Sequence, residues 1–325
     1  MDKNKEIGGF FELELSNNGE YHQNAIKLNN GRNCLLYILK AKNYKKVYLP
    51  YYICNSVIQI LKKSNIIYEF YSINQDFKPN FNKSLQNDES LLYVNYFGIN
   101  IENVKLLLNT YKNVIIDNTQ AFFQRPIKNE DTFYSARKFF GVSDGGYLYT
   151  DKKLEESIDL DESYKRFQHM LKRIDNDTAK DSYSIFKENE KILGNEDIKF
   201  MSNLTKRVLA SINYDNIKKI RNDNFMFLHE NLCKYNEIYI KNQKLDAPMV
   251  YPFLINKNGL REFLIKKNIY IATYWKEVLN RVSRGYFEYK LVKNLIPIPI
   301  DQRYNIDDMK IIIKNIDYFI CGGLR

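Results

Sequence analysis

No stretch of the chain approaches the roughly 20 consecutive apolar residues that a membrane-spanning helix needs, so a spanning protein is not expected. The opening MDKNKEIGGFF lacks a long apolar core and a small-residue cleavage site, and a cytoplasmic protein is expected. Cysteine is sparse: the four, Cys34, Cys54, Cys233 and Cys321, lie far apart without metal-ligand spacing, and the three histidines, His22, His169 and His229, pair with none of them. Neither a metal site nor a disulfide framework is expected. Any basic stripe is missing as well, because the net charge of +10 comes from lysines scattered among Asn, Ile and Tyr. Such scatter describes a solvated basic surface with a modest attraction for phosphorylated small molecules, not a nucleic-acid footprint.

What is present is a globular pattern. At 325 residues and 44% hydrophobic content the chain can bury a sizeable core, and two domains are expected, 1–205 and 206–325. After a short alternating stretch at 12–15, read as a strand, strands at 46–50, 66–73 and 91–97 alternate with helices that carry Val57, Ile58, Ile60 and Leu61, then Val104, Leu107 and Leu108. That alternation implies an α/β architecture, a mostly parallel sheet covered on both faces. From 151 to 199 charge runs predominate and read as solvated faces or mobile loops. One or two long helices follow, and strands at 249–255, 269–274 and 295–300 with helices at 259–267 and 306–319 make a smaller α+β domain.

The stretch 113–150, NVIIDNTQAFFQRPIKNEDTFYSARKFFGVSDGGYLYT, joins three apolar strands through two polar corners. Val114-Ile115-Ile116 stops at Asp117, a carboxylate at the carboxyl end of a strand, where open α/β sheets keep their ligands. Thr132-Phe133-Tyr134 delivers Ser135, Arg137 and Lys138, and Gly145-Gly146 opens Tyr147-Leu148-Tyr149. A lysine among aromatic residues, downstream of a strand-ending acid, is the minimal equipment of a pyridoxal phosphate (PLP) enzyme. The amine forms an imine with the aldehyde, and the carboxylate keeps the pyridine nitrogen protonated. Many α/β proteins have an Asp at a strand end and a Lys further on, so the pattern alone favours a structural corner.

Asp117-x-x-Gln120, then Lys138 followed seven and eight residues later by Gly145-Gly146, resembles the core of the DegT/DnrJ/StrS sugar aminotransferase family, and the similarity runs from about Asn30 to the final helix. The resemblance implies the PLP-dependent transferase (aspartate aminotransferase-like) fold: a large, mostly parallel-sheet domain with a smaller C-terminal α+β domain. It further implies that Gly31-Arg32-Asn33 occupies the place of a Gly-Thr pair that holds the PLP phosphate at a helix N-terminus, Arg32 being a departure whose amide can serve while its side chain points away. For the aromatic residue that lies against the PLP ring Tyr52 is chosen; Tyr51, and Cys54 by ungapped match, stay open. The family's phosphate-binding serine, five residues before the lysine, is Phe133 here; Ser135 ranks first as substitute, with Thr132 and Arg137 as alternatives. Gln120 is expected at or near the cofactor's ring hydroxyl. Arg221-x-x-Asn224 repeats an arginine of the helix between domains, while Ser202, Asn203 and Arg207 fall near the part that reaches a neighbouring subunit's site. Tyr274 and Trp275 edge the substrate cleft or form a buried pair.

The activity implied is amino transfer from glutamate or a similar donor to a nucleotide-linked keto-sugar, for amino sugars of a surface polysaccharide or secondary metabolite, by a homodimer. Lys138 is tether and proton carrier, and Asp117 stabilises the pyridinium. Two alternatives stand beside it. One is dehydration of a related sugar, which Lys138 argues against because such enzymes often carry histidine there. The other is a PLP-binding regulator or scaffold without turnover.

Overall fold

The computed structural model describes residues 7–241 and 245–322; the outer limits of the two expected domains, residues 1 and 325, lie outside them. In chain order the elements are β1 (Ile26–Leu28), α1 (Gly31–Ala41), β2 (Lys46–Pro50), α2 (Asn55–Lys63), β3 (Ile67–Ile73), β4 (Pro79–Asn80), β5 (Glu89–Val94), α3 (Ile101–Thr110), β6 (Val114–Asp117), β7 (Asp131–Ser135) and β8 (Gly146–Tyr149). There follow α4 (Gln168–Asn176), α5 (Tyr183–Asn195), α6 (Asn203–Ala210), α7 (Tyr214–Leu232), β9 (Val250–Leu254), α8 (Leu260–Lys266), α9 (Phe287–Asn294), β10 (Leu295–Pro299) and α10 (Ile306–Ile320).

The first eight strands form one sheet in the order β1-β8-β7-β6-β5-β2-β3-β4. β3, β2, β5, β6 and β7 run parallel, β8 opposes β7, and β1 and β4 close the edges antiparallel to their neighbours. All residues of β6 and β7 are buried, as a parallel sheet covered on both faces requires. The chain passes from β2 to β3 on one side and returns to β5 on the other, so strand order reverses at β2. Beyond the carboxyl ends of the strands at such a reversal lies the crevice that α/β proteins use for ligands. β9 and β10 pair antiparallel with Leu295 opposite Leu254, and α10, begun by a capping box between Asn305 and Asp308, packs against α7 and α8.

Three expected strands differ. Residues 12–15 find no ladder partner and lie largely exposed; the chain just beyond them is tied through Ser16 Oγ to the Ser211 carbonyl and through the Asn18 amide to the Ala210 carbonyl. Residues 269–274 are irregular because β9 pairs with β10 instead. The strand expected to reach residue 97 ends at Val94, and Phe97 turns the chain with φ 61°, a left-handed conformation costly for a bulky residue. Residue 205, the expected end of the first domain, lies inside α6, whose N-cap residue Ser202 donates to Asp144 from its amide and its hydroxyl.

Candidate active site

Asp117 and Lys138 meet at the carboxyl ends of β6 and β7. The bridge between them is Thr119: its amide donates to Asp117 Oδ1 at 2.8 Å, and its Oγ1 accepts from Lys138 Nζ at 2.9 Å. Asp117 is buried, and desolvation raises its pKa against the opposing pull of Lys138 and the Thr119 hydrogen bonds. Lys138 is exposed toward a recess ringed by protein, and desolvation lowers its pKa against Asp117. Burial therefore disfavours the charged form of each group, while their mutual attraction favours it. A neutral amine is the nucleophilic form of lysine.

The recess, about 270 Å³, is lined by Gly31, Arg32, Cys54, Asp117, Thr119, Gln120, Ser135, Arg137 and Lys138, with Phe186, Glu190 and Trp275 from later in the chain. Gly31 begins α1, and the helix start is pressed so close that a Cβ there would sit 3.1 Å from Thr119 Cγ2. Gly146 permits the same approach from below, since a Cβ on it would lie 2.8 Å from the Asn30 carbonyl. Both glycines thus bring the free amides of a helix N-terminus over the strand ends. Beside them stand the guanidinium groups of Arg32 and Arg137. Burial pushes the Arg137 pKa down to about 10, with Arg32 adding repulsion, and burial lowers that of Arg32. A carboxylate, Glu190 of α5, pairs with Arg137.

Of the expected site residues, Asp117, Lys138, Gly31, Arg32, Gln120 and Ser135 converge on the recess. Arg32 borders both the recess and a neighbouring space, with its Nη1 beside Gly194. Gln120 Oε1 is committed to the Phe97 amide at 2.8 Å, which fixes the 96–98 corner and leaves the amide nitrogen for the recess. Two residues are elsewhere. Asn33 points away, its Nδ2 bonded to Asn29 Oδ1 and to the Asp197 carbonyl, because one residue along a helix rotates the side chain out of the site. Tyr52 is wholly buried and meets Trp275 edge-on at 4.7 Å, so it supports a lining residue without lining the recess. Tyr51 stacks on Phe70, and Thr132 also lies outside the lining. The loop position that faces Lys138 is Cys54.

Thr119 was not singled out from the sequence, although its place between Asp117 and Gln120 is the available signal. Glu190 and Phe186 had no local signal. Behind Lys138 the fully buried Arg221 donates to the carbonyls of Pro248 and Met249 and to Gln302 Oε1, while Gln302 Nε2 donates to the Phe139 carbonyl at 2.8 Å. Helix α7 thereby holds the backbone next to the lysine.

No family model matches the sequence, nor does any curated protein. Solved structures do match. They include a DegT DnrJ EryC1 StrS aminotransferase from Brucella abortus (13% identity over 91% of this chain and 85% of that one, TM-score 0.60). A second, from Streptococcus pneumoniae and assigned as a sugar aminotransferase, was determined in its PLP-form (12%, 90% and 86%, TM-score 0.62). A third is DesI in the presence of its TDP-sugar product (11%, 92% and 81%, TM-score 0.64). The fold is that of the sugar aminotransferases. Within that shared fold, Asp117 and Lys138 sit at adjacent strand ends and α1 points its N-terminus at the recess between them. Among the described residues no cluster of potential metal ligands occurs and no helix is long and apolar enough to cross a membrane.

Proposed function

We propose that this chain is a PLP-dependent aminotransferase that moves an amino group from an amino acid such as glutamate to a nucleotide-linked keto-sugar. The observation that carries the proposal is the Lys138–Thr119–Asp117 array in a recess whose other wall is an anion-binding helix start. PLP fits the donor set: a primary amine for its aldehyde, a carboxylate for its ring nitrogen, and amides with two arginines and a serine for its phosphate. Bound there, PLP supplies an electron sink for carbon–hydrogen bond cleavage.

The chain's own residues do the rest. Lys138 tethers the cofactor and, once released as a free amine, holds and moves a proton at Nζ, helped by the burial that lowers its pKa. Asp117 keeps a proton on the ring nitrogen through a charge-assisted hydrogen bond, and the Thr119 amide fixes the orientation of that carboxylate. The Gly31 and Arg32 amides, Ser135 and the guanidinium groups of Arg32 and Arg137 hold the phosphate. Thr119 Oγ1 aims the lysine. The sugar substrate is supported by the likeness to DesI, which was solved in the presence of its TDP-sugar product. Assembly as a C2 homodimer in the cytoplasm, in amino-sugar or polysaccharide synthesis, completes the reading.

The test is chemical. Protein given PLP and then borohydride should carry a single pyridoxyl group at Lys138, located by peptide mapping, and should transfer amine from glutamate to a nucleotide keto-sugar. A label on another lysine, or none at saturating PLP, refutes the assignment. Labelling without any transfer would favour the regulator reading. Light scattering that reports an active monomer would remove the dimer.

A further inference from the structure

Cys54, which faces Lys138 in the recess, is the N-cap of α2 and makes no capping bond with its side chain. A helix start leaves its first amides without intrahelical acceptors, and a thiol is a poor substitute for the Ser, Thr, Asp or Asn that usually supplies one. The acceptor comes from far along the chain: Glu277 Oε1 takes the Asn55 amide at 3.0 Å. From the same turn Arg281 reaches the same loop, Nη1 donating to the carbonyls of Tyr51 at 3.2 Å and Ile53 at 3.0 Å, and Nη2 to Asn55 Oδ1 at 3.2 Å. The carbonyl between them, that of Tyr52, accepts from the Tyr96 hydroxyl at 2.8 Å.

That turn also carries a second lining residue. Trp275 has φ 56°, a left-handed conformation that a bulky residue keeps only where its surroundings hold it. Its carbonyl accepts from the Val278 amide at 2.9 Å, and the Val278 carbonyl accepts from the Arg281 amide at 2.8 Å, so the backbone ties the indole to the guanidinium. The guanidinium in turn lies 5.6 Å from the centre of the Phe70 ring, on which Tyr51 stacks at 5.0 Å. Two lining residues, Cys54 from the β2–α2 loop and Trp275 from the C-terminal part of the chain, are thus joined by two charged side chains that do not line the recess themselves. We infer that Arg281 and Glu277 are positioning residues for the cofactor: acting through residues 51–55, they fix the separation of Cys54 from Lys138 and so how closely a flat ring is held there. The inference rests on the proposed PLP chemistry and adds which residues outside the recess set its width.

Alkylation of the full chain by iodoacetamide, mapped peptide by peptide with and without PLP, tests it, with the exposed Cys233 as internal reference. Bound PLP should shield Cys54 in the parent. In Arg281→Met, which keeps the length and loses the fork of donors, that shielding should be lost and the Kd for PLP should rise about tenfold. Arg281→Lys, with one ammonium in place of the fork, should fall between; Glu277→Ala should lose less than Arg281→Met, and Glu277→Gln, whose amide oxygen still accepts from Asn55, should match the parent. Arg284→Met, the same change at an exposed arginine, is the control. Parental shielding and Kd in Arg281→Met overturn the inference, as does a fall in melting temperature with Cys54 still shielded, which would make the contact one of stability only. Should Arg281→Met not fold, the graded order of Arg281→Lys, Glu277→Ala and Glu277→Gln decides in its place, and equal behaviour of the three overturns the inference. Borohydride labelling of Lys138 reports the cofactor reading separately: a parent that labels while Cys54 stays unshielded overturns the inference and leaves the aminotransferase, whereas a parent that does not label overturns both.

Discussion

Residues 113–150 and residues 151–199 are neighbours in sequence and opposites in construction. The first segment is made of short strands buried on both faces, and its loops are clamped by rings: Phe122 packs against Phe139 at 5.6 Å, Phe140 at 4.8 Å and His22 at 4.9 Å. The second leaves Leu171, Ile174 and Tyr183 more than half exposed and touches the site through one face of α5. Asp117 and Lys138 belong to the first, and the second adds Phe186 and Glu190 to the wall beside them.

The largest effect should come from the first segment's chemistry. Asp117→Asn keeps the shape and removes the charge, so turnover should fall by a factor on the order of 10³ or more with PLP still bound; near-normal rates would make Asp117 a structural strand end. Phe122→Ala, emptying the centre of the ring cluster, should cost about 3–5 kcal/mol in urea unfolding, and a loss near zero would mean that the loops are held by something else.

His22 sharpens the comparison through pH. It is fully buried, bonded to the Phe122 carbonyl at 2.8 Å and to the Tyr149 hydroxyl, and burial lowers its pKa from 6.5 to about 4. The unfolded chain then binds the proton more readily than the folded one. Its neutral form contributes fully above about pH 6.5, and about 3 kcal/mol is lost as pH falls to 4. Stability measured between those pH values should fall less steeply in His22→Asn than in the parent.

At the border of the two segments the Glu190–Arg137 pair sets a carboxylate where a phosphate is expected. Arg137→Ala should weaken PLP binding about tenfold and Glu190→Gln should tighten it, followed by PLP titration; weakening in both would make Glu190 a support for Arg137 and not its competitor. The smallest effect belongs to the outer face of α4: Ile174→Ser, at a side chain 77% exposed, should shift unfolding by no more than about 0.5 kcal/mol. A larger loss would show that this face is covered in solution.

β6 was legible because burial on both faces writes the uninterrupted apolar run Val114-Ile115-Ile116 that Asp117 ends, and β7 and β8 were legible from the short strand-like runs Thr132-Phe133-Tyr134, with the lysine beyond it, and Tyr147-Leu148-Tyr149. Gly145-Gly146 was legible for a similar reason. The structure adds the cause: Gly145 has φ 124°, and Gly146 admits α1 to close approach. Residues 12–15 and 269–274 misled because alternation describes a strand without providing a partner for it.

Local pattern by itself determined which segments are buried, where strands stop, and that an acid and a lysine terminate neighbouring apolar runs. Tertiary structure alone decided that Cys54 and not Tyr52 faces the lysine, that Thr119 joins Asp117 to Lys138, and that Asn33 turns outward. It also decided that Glu190 returns across 53 residues to meet Arg137. Burial and chain direction repeat with the period of the element and so can be read along the chain. Which side chain meets which across a crevice depends on the rotation and packing of elements distant in sequence, and no spacing encodes that.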